Sequence, residues 1–424
     1  MVPTALLTLL LQASCWKFVN GHATHGQDDA ARIEELTRKW TTDWPYSGIS
    51  TFAHLPHTRC LVDLDTKYDI AIIGAPFDTA VSYRPGARFG PRAIRAASAR
   101  QTSFRGFNHR AGFNPYENWA KIIDCGDIPV VPFDNALAIE QMTEALDELL
   151  SRDSNIYHSA ATDSARSLVQ DKRIPKIVTL GGDHTVALAA LRALNKYHGQ
   201  LAVLHFDAHL DTWNPIKYPS AWSSDQLKLN HGSMFWLAQT AYDPPLIFPN
   251  ASVHAGLRTR LSGVDFDDYN DDTRQGWHRI EADDIDDIGV KGVVDAILNN
   301  LGREMPVYLS VDIDVIDPGI APGTGTPEPG GWTTREMIRI LRGLEGLNVV
   351  GADIVEVAPA YDGPGEQTAL AAAQIVYEIL TSMVKQGVRE ERVKMRGARG
   401  MRHLNVGKDA SPAPTAENTI EDEL

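Results

Sequence analysis

The stretch LAVLHFDAHLD, residues 201–211, begins as an apolar run and ends in alternating acidic and imidazole side chains. Its first part, Leu201–Phe206, is typical of a strand that is buried on both faces of a parallel sheet. Side chains alternate along an extended chain, so Asp207, His209 and Asp211 point to the same side of it. The stretch therefore predicts a central strand with a polar site at its carboxyl end.

Apolar runs of similar length recur on both sides of this stretch and alternate with amphipathic segments of helical spacing. This alternation predicts an α/β fold, a single-domain three-layer αβα sandwich with a mostly parallel sheet. The further predicted strands are Tyr68–Pro76, Lys176–Leu180, Ser252–Leu257, Pro306–Val311 and Val349–Val355. The predicted helices are Arg92–Arg100, Leu137–Leu150, Val186–Tyr197, Val290–Leu301, Thr334–Leu344 and Gln367–Val384.

Two other predicted strands also end in polar residues that a packed core does not require. The sequence GGDH, residues 181–184, follows one of them, and SVDIDVIDP, residues 310–318, contains the end of the other. Because the carboxyl ends of parallel strands meet at one edge of the sheet, we expect the polar side chains to converge there. The candidate metal ligands are His184, Asp207, His209, Asp211, Asp312 and Asp314.

Four carboxylates at the end of an apolar sheet repel one another and are costly to desolvate, so the pattern predicts bound cations. Their charge balances two divalent ions, and each imidazole adds a neutral nitrogen ligand to one ion. Ligands that are rich in oxygen and free of thiolate favour two Mn²⁺ ions over structural zinc. Two ions about 3.5–4 Å apart lower the pKa of a shared water, as in many hydrolases. Taken singly, each residue also fits a helix cap, a turn or a core position.

Together these blocks resemble the signatures of the ureohydrolases, the family of arginases, agmatinases and related guanidino-acid hydrolases, over residues 45–385. Two more stretches, RPGARFGPR at 84–92 and APGTGTPEPGG at 321–331, are closer to agmatinases than to arginases. The resemblance implies an arginase-like fold and a pair of Mn²⁺ ions that share Asp207 and Asp312. It assigns one ion to His184, Asp207, Asp211 and Asp312, and the other to Asp207, His209, Asp312 and Asp314.

The same resemblance implies three catalytic residues. Glu356 would hold the guanidinium group of the substrate, His231 would exchange protons near it, and Asp211 would relay a proton to the leaving amine. A purely structural interpretation instead pairs Glu356 with Arg258. The implied reaction is the hydrolysis of agmatine, a small cationic guanidino compound, to urea and putrescine.

Alternative functions stay open at this point. The long segment between Asp211 and His231 contains Lys217 and Lys228, which suit a substrate carboxylate and make 4-guanidinobutyrate the main rival to agmatine. A non-catalytic protein that binds metal or polyamine is a second alternative, although the ligand set is complete. A dinuclear phosphoesterase is a third, and it lacks an evident Arg or His cluster for phosphate.

Composition and charge exclude several classes of function. The chain has 424 residues, 43% of them hydrophobic, with 40 Lys and Arg against 55 Asp and Glu and a net charge of −15. This balance does not suit a nucleic-acid partner, because such binding neutralises phosphates with basic side chains. No apolar run approaches the ~20 residues that span a bilayer, so no membrane span is predicted. The resemblance implies a homo-oligomer, a trimer or a hexamer.

The two ends of the chain differ from its middle. The apolar stretch ALLTLLLQA, residues 5–13, has the length of a secretory leader core and predicts a signal peptide over residues 1–23. We place an N-terminal extension over 24–66, the ureohydrolase catalytic domain over 67–386 and a C-terminal tail over 387–424.

These ends also predict the location of the protein. The final four residues, EDEL, resemble an endoplasmic-reticulum retention signal. The expected location is the secretory pathway, with secretion or retention, and the alternative is mitochondrial or cytoplasmic. Outside the predicted leader, Cys60 and Cys125 can form at most one disulfide, and the sequence leaves their pairing open.

Overall fold

The structure is a computed structural model that describes residues 27–154, 174–217, 222 and 224–406. The signal peptide predicted over 1–23 and the final EDEL lie outside these residues. The chain divides into two compact units, one that ends at Trp44 and one that begins at Pro45. Within the first unit, helix α1 spans Gln27–Trp40. Among the described helices, none combines the length and apolar character needed to cross a membrane.

The second unit is built on one sheet of eight strands. They are β1 Ile70–Ala75, β2 Ile122–Asp127, β3 Lys176–Gly181, β4 Ala202–Phe206, β5 Ser252–Leu257, β6 Trp277–Glu281, β7 Val307–Asp312 and β8 Val349–Val355. Their order across the sheet is β2-β1-β3-β8-β7-β4-β5-β6, and every neighbouring pair is parallel. All the strands predicted from the sequence are present, and the predicted fold class is confirmed.

The sequence pattern missed strands β2 and β6, which form the two edges of the sheet. Charged or polar side chains interrupt both, such as Asp124 in β2 and Arg279 in β6. An edge strand has a hydrogen-bonded neighbour on one side only and is less covered than a central strand, so it need not be continuously apolar. Hydrophobic periodicity therefore finds the central strands more readily than the edges.

Helices cover both faces of the sheet and complete the three layers. They are α2 Gly90–Ala97, α3 Asn135–Leu150, α4 Val186–His198, α5 Met234–Thr240, α6 Asp267–Arg274, α7 Asp284–Leu301, α8 Thr334–Gly343 and α9 Gln367–Val406. Helices α2, α7, α8 and α9 contribute to one buried apolar cluster, and α3, α4 and α5 contribute to a second. The sequence pattern missed α5 and α6. Helix α6, DDYNDDTR, has no apolar stripe by which it could be recognised.

Four neighbouring central strands, β3, β8, β7 and β4, determine where the polar segments meet. Strand β3 leads into His184, β8 into Glu356, β7 ends at Asp312, and β4 leads into Asp207–Asp211. Because these strands are parallel and adjacent, their carboxyl ends lie at the same edge of the sheet. The fold thus brings the candidate ligands from distant parts of the sequence to one place.

Residues that follow Pro45 pack into this unit before β1 begins. Phe52 and Ala53 are fully buried in the apolar core, and the main-chain N–H of Phe52 donates to Asp124 of β2 at 2.8 Å. Cys60 forms a disulfide with Cys125, also in β2, with a Cα–Cα distance of 5.1 Å. The later part of the segment that we assigned to an N-terminal extension is therefore joined to the edge of the sheet.

We expect Cys125→Ser to lower the free energy of unfolding by about 4 kcal/mol. The disulfide closes a loop with a sequence separation of 65, and closing a loop of this length restricts the unfolded chain by about that much in the chain-entropy model. Urea-induced unfolding followed by tryptophan fluorescence measures the change. Wild-type protein treated with a thiol reductant should lose the same stability, and an unchanged unfolding midpoint in both cases would contradict the prediction.

Candidate functional site

Three carboxylates surround one ring nitrogen of His184. Its Nδ1 lies 3.1 Å from Asp207 Oδ2, 3.0 Å from Asp211 Oδ2 and 3.3 Å from Asp312 Oδ2. His184 is fully buried, and Nδ1 makes no well-formed hydrogen bond within the described part of the chain. One imidazole N–H cannot satisfy three carboxylates, whereas one nitrogen and three oxygens suit a divalent cation. The residues therefore fit a metal site.

A second group forms around His209. Its Nδ1 lies 3.1 Å from Asp207 Oδ1 and 3.1 Å from Asp314 Oδ2. Asp207 thus offers one oxygen to each group, as expected for a carboxylate shared by two ions. The resemblance also assigns Asp312 to the second ion, and in the structure its Oδ1 accepts a hydrogen bond from the main-chain N–H of Asp314 at 2.8 Å. The structure therefore brings together all the ligands predicted from the sequence.

The pKa values show how unfavourable this concentration of negative charge is. Burial raises the pKa of Asp211, Asp312 and Asp314, and repulsion from neighbouring carboxylates raises it further, to about 6 for Asp314. Burial lowers the pKa of His184 and His209, but the carboxylates around each ring outweigh burial and raise it well above its usual range. The cluster therefore favours positive charge in its interior, which a bound divalent cation would supply.

Backbone geometry positions the ligands at the ends of β3 and β4. A Cβ on Gly182 would lie 1.8 Å from the main-chain oxygen of Phe77, so only glycine allows the turn before His184. Asp211 has a φ of 56°, in the left-handed region that non-glycine residues enter rarely. Such strained positions persist where the surrounding structure holds them, and they are common at functional sites.

The other ring nitrogen of His184 is held by a buried network. His184 Nε2 lies 2.8 Å from Ser310 Oγ, and this hydroxyl donates to Asp353 Oδ1 at 2.8 Å. Asp353 also accepts hydrogen bonds from Tyr308 Oη and the main-chain N–H of Val311, so its oxygens serve as acceptors in this network. Because Ser310 uses its only proton on Asp353, it accepts from His184 Nε2–H. This leaves Nδ1 to supply the nitrogen ligand of a cation held by the three carboxylates.

Ser310→Ala should weaken the binding of divalent cations by about 10–100-fold, since the partner that fixes the His184 ring and its tautomer is lost. Titration of the metal-free protein with Mn²⁺, followed by isothermal calorimetry, measures this. Ser310→Thr retains the hydroxyl and is the matched control. Equal affinities in the alanine variant and the wild type would show that Ser310 does not set the tautomer.

Glu356 lies next to the His/Asp cluster and has one oxygen without a partner. Its Oε1 accepts a hydrogen bond from the main-chain N–H of His184 at 2.9 Å and lies 3.1 Å from His231 Nδ1. Its Oε2 is buried and has no hydrogen-bond partner among the described residues. The interpretation that pairs Glu356 with Arg258 is wrong, because the Arg258 guanidinium donates to the main-chain oxygens of Asp314 and Glu328.

His231 links Glu356 to the protein surface. Its Nε2 accepts a hydrogen bond from the main-chain N–H of Ser82 at 3.0 Å and lies 2.8 Å from the Ser82 hydroxyl. Burial lowers the pKa of His231, but the hydrogen bond to Glu356 and the charge of Glu356 outweigh it and raise the pKa to about 9. With a side chain that is 13% exposed and bonded to Glu356, His231 lies between Glu356 and solvent.

Sequence reasoning missed Ser310 and Asp353, although each leaves a signal. Both interrupt otherwise apolar strands, β7 and β8, and a buried polar residue in such a strand requires a partner.

The long segment after Asp211 also differs from what the sequence predicts. Lys217 forms an ion pair with Asp267 at 2.7 Å and a second with Asp271, so its charge is directed to α6 and not to a substrate carboxylate. Residues 218–221 and 223 of that segment lie outside the described residues.

Comparison with known proteins agrees with this geometry. The family model of the arginase family matches residues 68–381. "Putative agmatinase 1" of Schizosaccharomyces pombe is 47% identical over 352 residues, which cover 83% of this chain and 86% of that protein. Proclavaminate amidinohydrolase of Streptomyces clavuligerus is 38% identical over 338 residues, which cover 79% of this chain and 93% of that protein. A solved structure of proclavaminate amidino hydrolase matches with a TM-score of 0.66 at 36% identity, over 81% of this chain and 100% of that chain.

A parallel sheet carries a His/Asp metal-type cluster at its carboxyl edge, and beside it a carboxylate keeps one oxygen without a partner among the described residues. This arrangement is typical of a hydrolase that acts on cationic substrates. The chain belongs to the arginase family. It is a ureohydrolase, an enzyme that acts on guanidino compounds.

Proposed function

We propose that the protein hydrolyses agmatine to urea and putrescine. The observation that carries the proposal is the buried Oε2 of Glu356, which lies beside the His/Asp cluster and has no partner in the described part of the chain. A buried carboxylate oxygen without a donor favours a cation, and a guanidinium offers it a planar set of N–H groups. The relatives named agmatinase support agmatine as the guanidino compound.

We propose two Mn²⁺ ions as cofactors, because the donor set is rich in carboxylate oxygen and contains no thiolate. The residues that would hold them are His184, Asp207, Asp211 and Asp312 for one ion. Asp207, His209 and Asp314 would hold the other, with Asp312 shared as the resemblance implies. Bound there, such a pair supplies an activated water and Lewis-acid stabilisation of the transition state.

The residues of the chain orient the substrate and move protons. Glu356 Oε2 would fix the guanidinium, while its Oε1 stays bonded to the His184 main chain. His231, bonded to the same oxygen, would exchange protons between the site and solvent. Asp211, which lies 3.0 Å from His184 Nδ1, would carry a proton to the leaving amine. Each group needs a defined position, and the buried hydrogen bonds provide it.

Urea release from agmatine, 4-guanidinobutyrate and arginine by the Mn²⁺-loaded protein tests this function. We expect kcat/KM for agmatine to exceed that of each other substrate by at least about tenfold. Asp124→Asn, which alters a buried carboxylate in the edge strand β2, should keep this preference. Two bound ions with no urea from any substrate would instead support the non-catalytic alternative.

A second candidate, hydrolysis of a guanidino acid, is favoured by the position of Arg84. The position of a Cβ on Gly325 would be 2.9 Å from the Arg84 main-chain oxygen and 3.3 Å from Glu356 Oε2, so Arg84 borders the space beside Glu356. Its guanidinium lies 5.2 Å from the ring centroid of Tyr83 and 5.1 Å from that of Tyr361. An arginine at this position can bind a substrate carboxylate, as in 4-guanidinobutyrate.

Arg84→Met separates the two candidates. If the natural substrate is a guanidino acid, the substitution should raise KM for 4-guanidinobutyrate by at least about tenfold and leave KM for agmatine unchanged or lower. If agmatine is the substrate, removal of a positive charge should not weaken its binding. A similar loss for both compounds would mean that Arg84 supports the loop and does not select the substrate.

We further propose that the protein enters the secretory pathway and assembles as a trimer or hexamer. The buried Cys60–Cys125 disulfide supports the first part, because such bonds persist in oxidising compartments. N-terminal sequencing of the mature protein should find a start near residue 24, and an intact Met1 would contradict this. Analytical ultracentrifugation tests the assembly, which a purely monomeric mass would contradict.

A further inference from the structure

A row of buried polar side chains connects the His/Asp cluster with helix α6. His205 Nε2 lies 2.8 Å from Asp207 Oδ2, and His205 Nδ1 lies 2.7 Å from His254 Nδ1. His254 Nε2 in turn lies 3.0 Å from Asp272 Oδ1. All four residues have no exposed surface. The row thus joins a candidate ligand that follows β4 to a carboxylate on α6, by way of β5.

Aromatic packing fixes the two imidazoles of this row. The His254 ring stacks on Trp277 with centroids 4.0 Å apart and an interplanar angle of 13°. The His205 ring packs edge-on against Phe235 at 4.8 Å. Rings packed in this way cannot turn without opening a cavity, so the orientation set at one end of the row is transmitted to the other.

Asp272 also supports the loop that carries Asp211. Thr212 Oγ1 donates to Asp272 Oδ1 at 2.8 Å, and Gln275, directly after α6, donates to the main-chain oxygen of Thr212 at 3.0 Å. Since Asp211 adopts a left-handed φ of 56°, its conformation depends on such external contacts. Helix α6 therefore reaches two candidate ligands by separate routes.

Asp272 can accept hydrogen bonds from His254 and Thr212 at the same time. Burial raises its pKa, but His254, Thr212 and Arg279 together lower it below the usual value, so it is an ionised acceptor. Its Oδ2 accepts a hydrogen bond from Arg279 at 2.6 Å, which leaves Oδ1 for Thr212 and His254. A carboxylate with every contact satisfied keeps a fixed position in the interior.

We propose that Asp272 is a positioning residue for one of the two metal sites, the one formed around His184. The inference rests on the proposed metal-dependent function. Both groups that Asp272 supports, Asp207 Oδ2 and the Asp211 loop, lie in the set around His184 Nδ1. In the described ranges, no hydrogen bond or ion pair joins Asp272 to His209 or Asp314. Loss of Asp272 should therefore weaken the site around His184 more than the site around His209, which it reaches only through the shared Asp207.

Titration of the metal-free, full-length protein with Mn²⁺, followed by the EPR signal of free Mn²⁺, yields a dissociation constant for each site. We expect Asp272→Asn to raise the dissociation constant of the site around His184 by about 10–100-fold and that of the other site by a clearly smaller factor. In a His209→Ala background, where only the site around His184 is complete, Asp272→Asn should retain its full effect. Thr212→Val removes one route without a change of charge and should raise the same constant by a smaller factor.

Asp124→Asn is the matched control. It breaks a buried ion pair with Arg95, 2.8 Å between Oδ2 and Nε, on the edge strand β2, and should leave both constants unchanged. Two unchanged constants in both Asp272→Asn and Thr212→Val, or equal weakening of both sites, would overturn the inference. If Asp272→Asn does not fold, the two Mn²⁺ dissociation constants of Thr212→Val provide the test in its place. A wild-type protein that binds no Mn²⁺ would refute the proposed function itself.

Discussion

Asp207→Asn is expected to abolish urea release and to lower the divalent-cation content of the purified protein. The carboxylate of Asp207 has one oxygen 3.1 Å from His184 Nδ1 and the other 3.1 Å from His209 Nδ1, so both halves of the cluster depend on it. Asparagine keeps the shape but replaces one oxygen with an NH₂ group and removes a negative charge. We expect kcat/KM to fall by about four orders of magnitude, or about 5.5 kcal/mol of transition-state stabilisation.

Metal analysis of the gel-filtered protein and a urea assay measure these two effects. The Asp207→Asn protein should retain the secondary structure of the wild type, which circular dichroism checks, because the sheet is held by its apolar layers. Asp124→Asn should retain both ions and near-normal turnover. Wild-type turnover in Asp207→Asn would refute the assignment of the shared ligand.

Glu356→Gln is expected to lower kcat/KM by about 10²–10⁴-fold with the ions still bound, because removing one partner of a buried charge pair costs about 3–5 kcal/mol. Glutamine can keep Oε1 as acceptor for the His184 main chain and His231, so the substitution isolates the role of Oε2. The NH₂ group of the glutamine then lies where Glu356 offers the acceptor Oε2. The N–H groups of the substrate guanidinium therefore face a donor and not an acceptor. We therefore expect the variant to keep its metal ions and to lose affinity for the substrate guanidinium.

Steady-state kinetics and metal analysis test this second prediction. Glu378→Gln is the matched control, since Glu378 is also buried but forms an ion pair with Arg342 between α9 and α8. It should lower the unfolding midpoint and leave kcat/KM within about threefold of wild type. An active Glu356→Gln enzyme would show that another group holds the guanidinium.

The positions of the candidate ligands were predictable because they depend on local patterns. Asp207, His209 and Asp211 alternate directly after an apolar strand, and Asp312 and Asp314 do the same after another. A buried strand followed by such residues has few explanations other than a site at its end. Helix α6 was not predictable in this way, because DDYNDDTR has no apolar face.

Residues that hold the candidate ligands left weaker signals in the sequence. Ser310 and Asp353 are visible as polar interruptions of two strands, but the strand order is needed to see that they contact one another. His254 and Asp272 meet although they lie on β5 and α6. Lys217 is similar: a free lysine in the sequence becomes a partner of α6 once the chain folds.

By itself, the sequence determined the fold class, the central strands and the set of residues at their carboxyl ends, since hydrophobic periodicity and the residues after each strand are local properties. Only the tertiary structure decided that each oxygen of Asp207 faces a different imidazole and that α6 supports the ligands through His254 and Thr212. It also decided that Glu356 Oε2 has no partner among the residues the structure describes. These contacts depend on the order β3-β8-β7-β4-β5 across the sheet. That order arises from packing between distant segments, which no local pattern encodes.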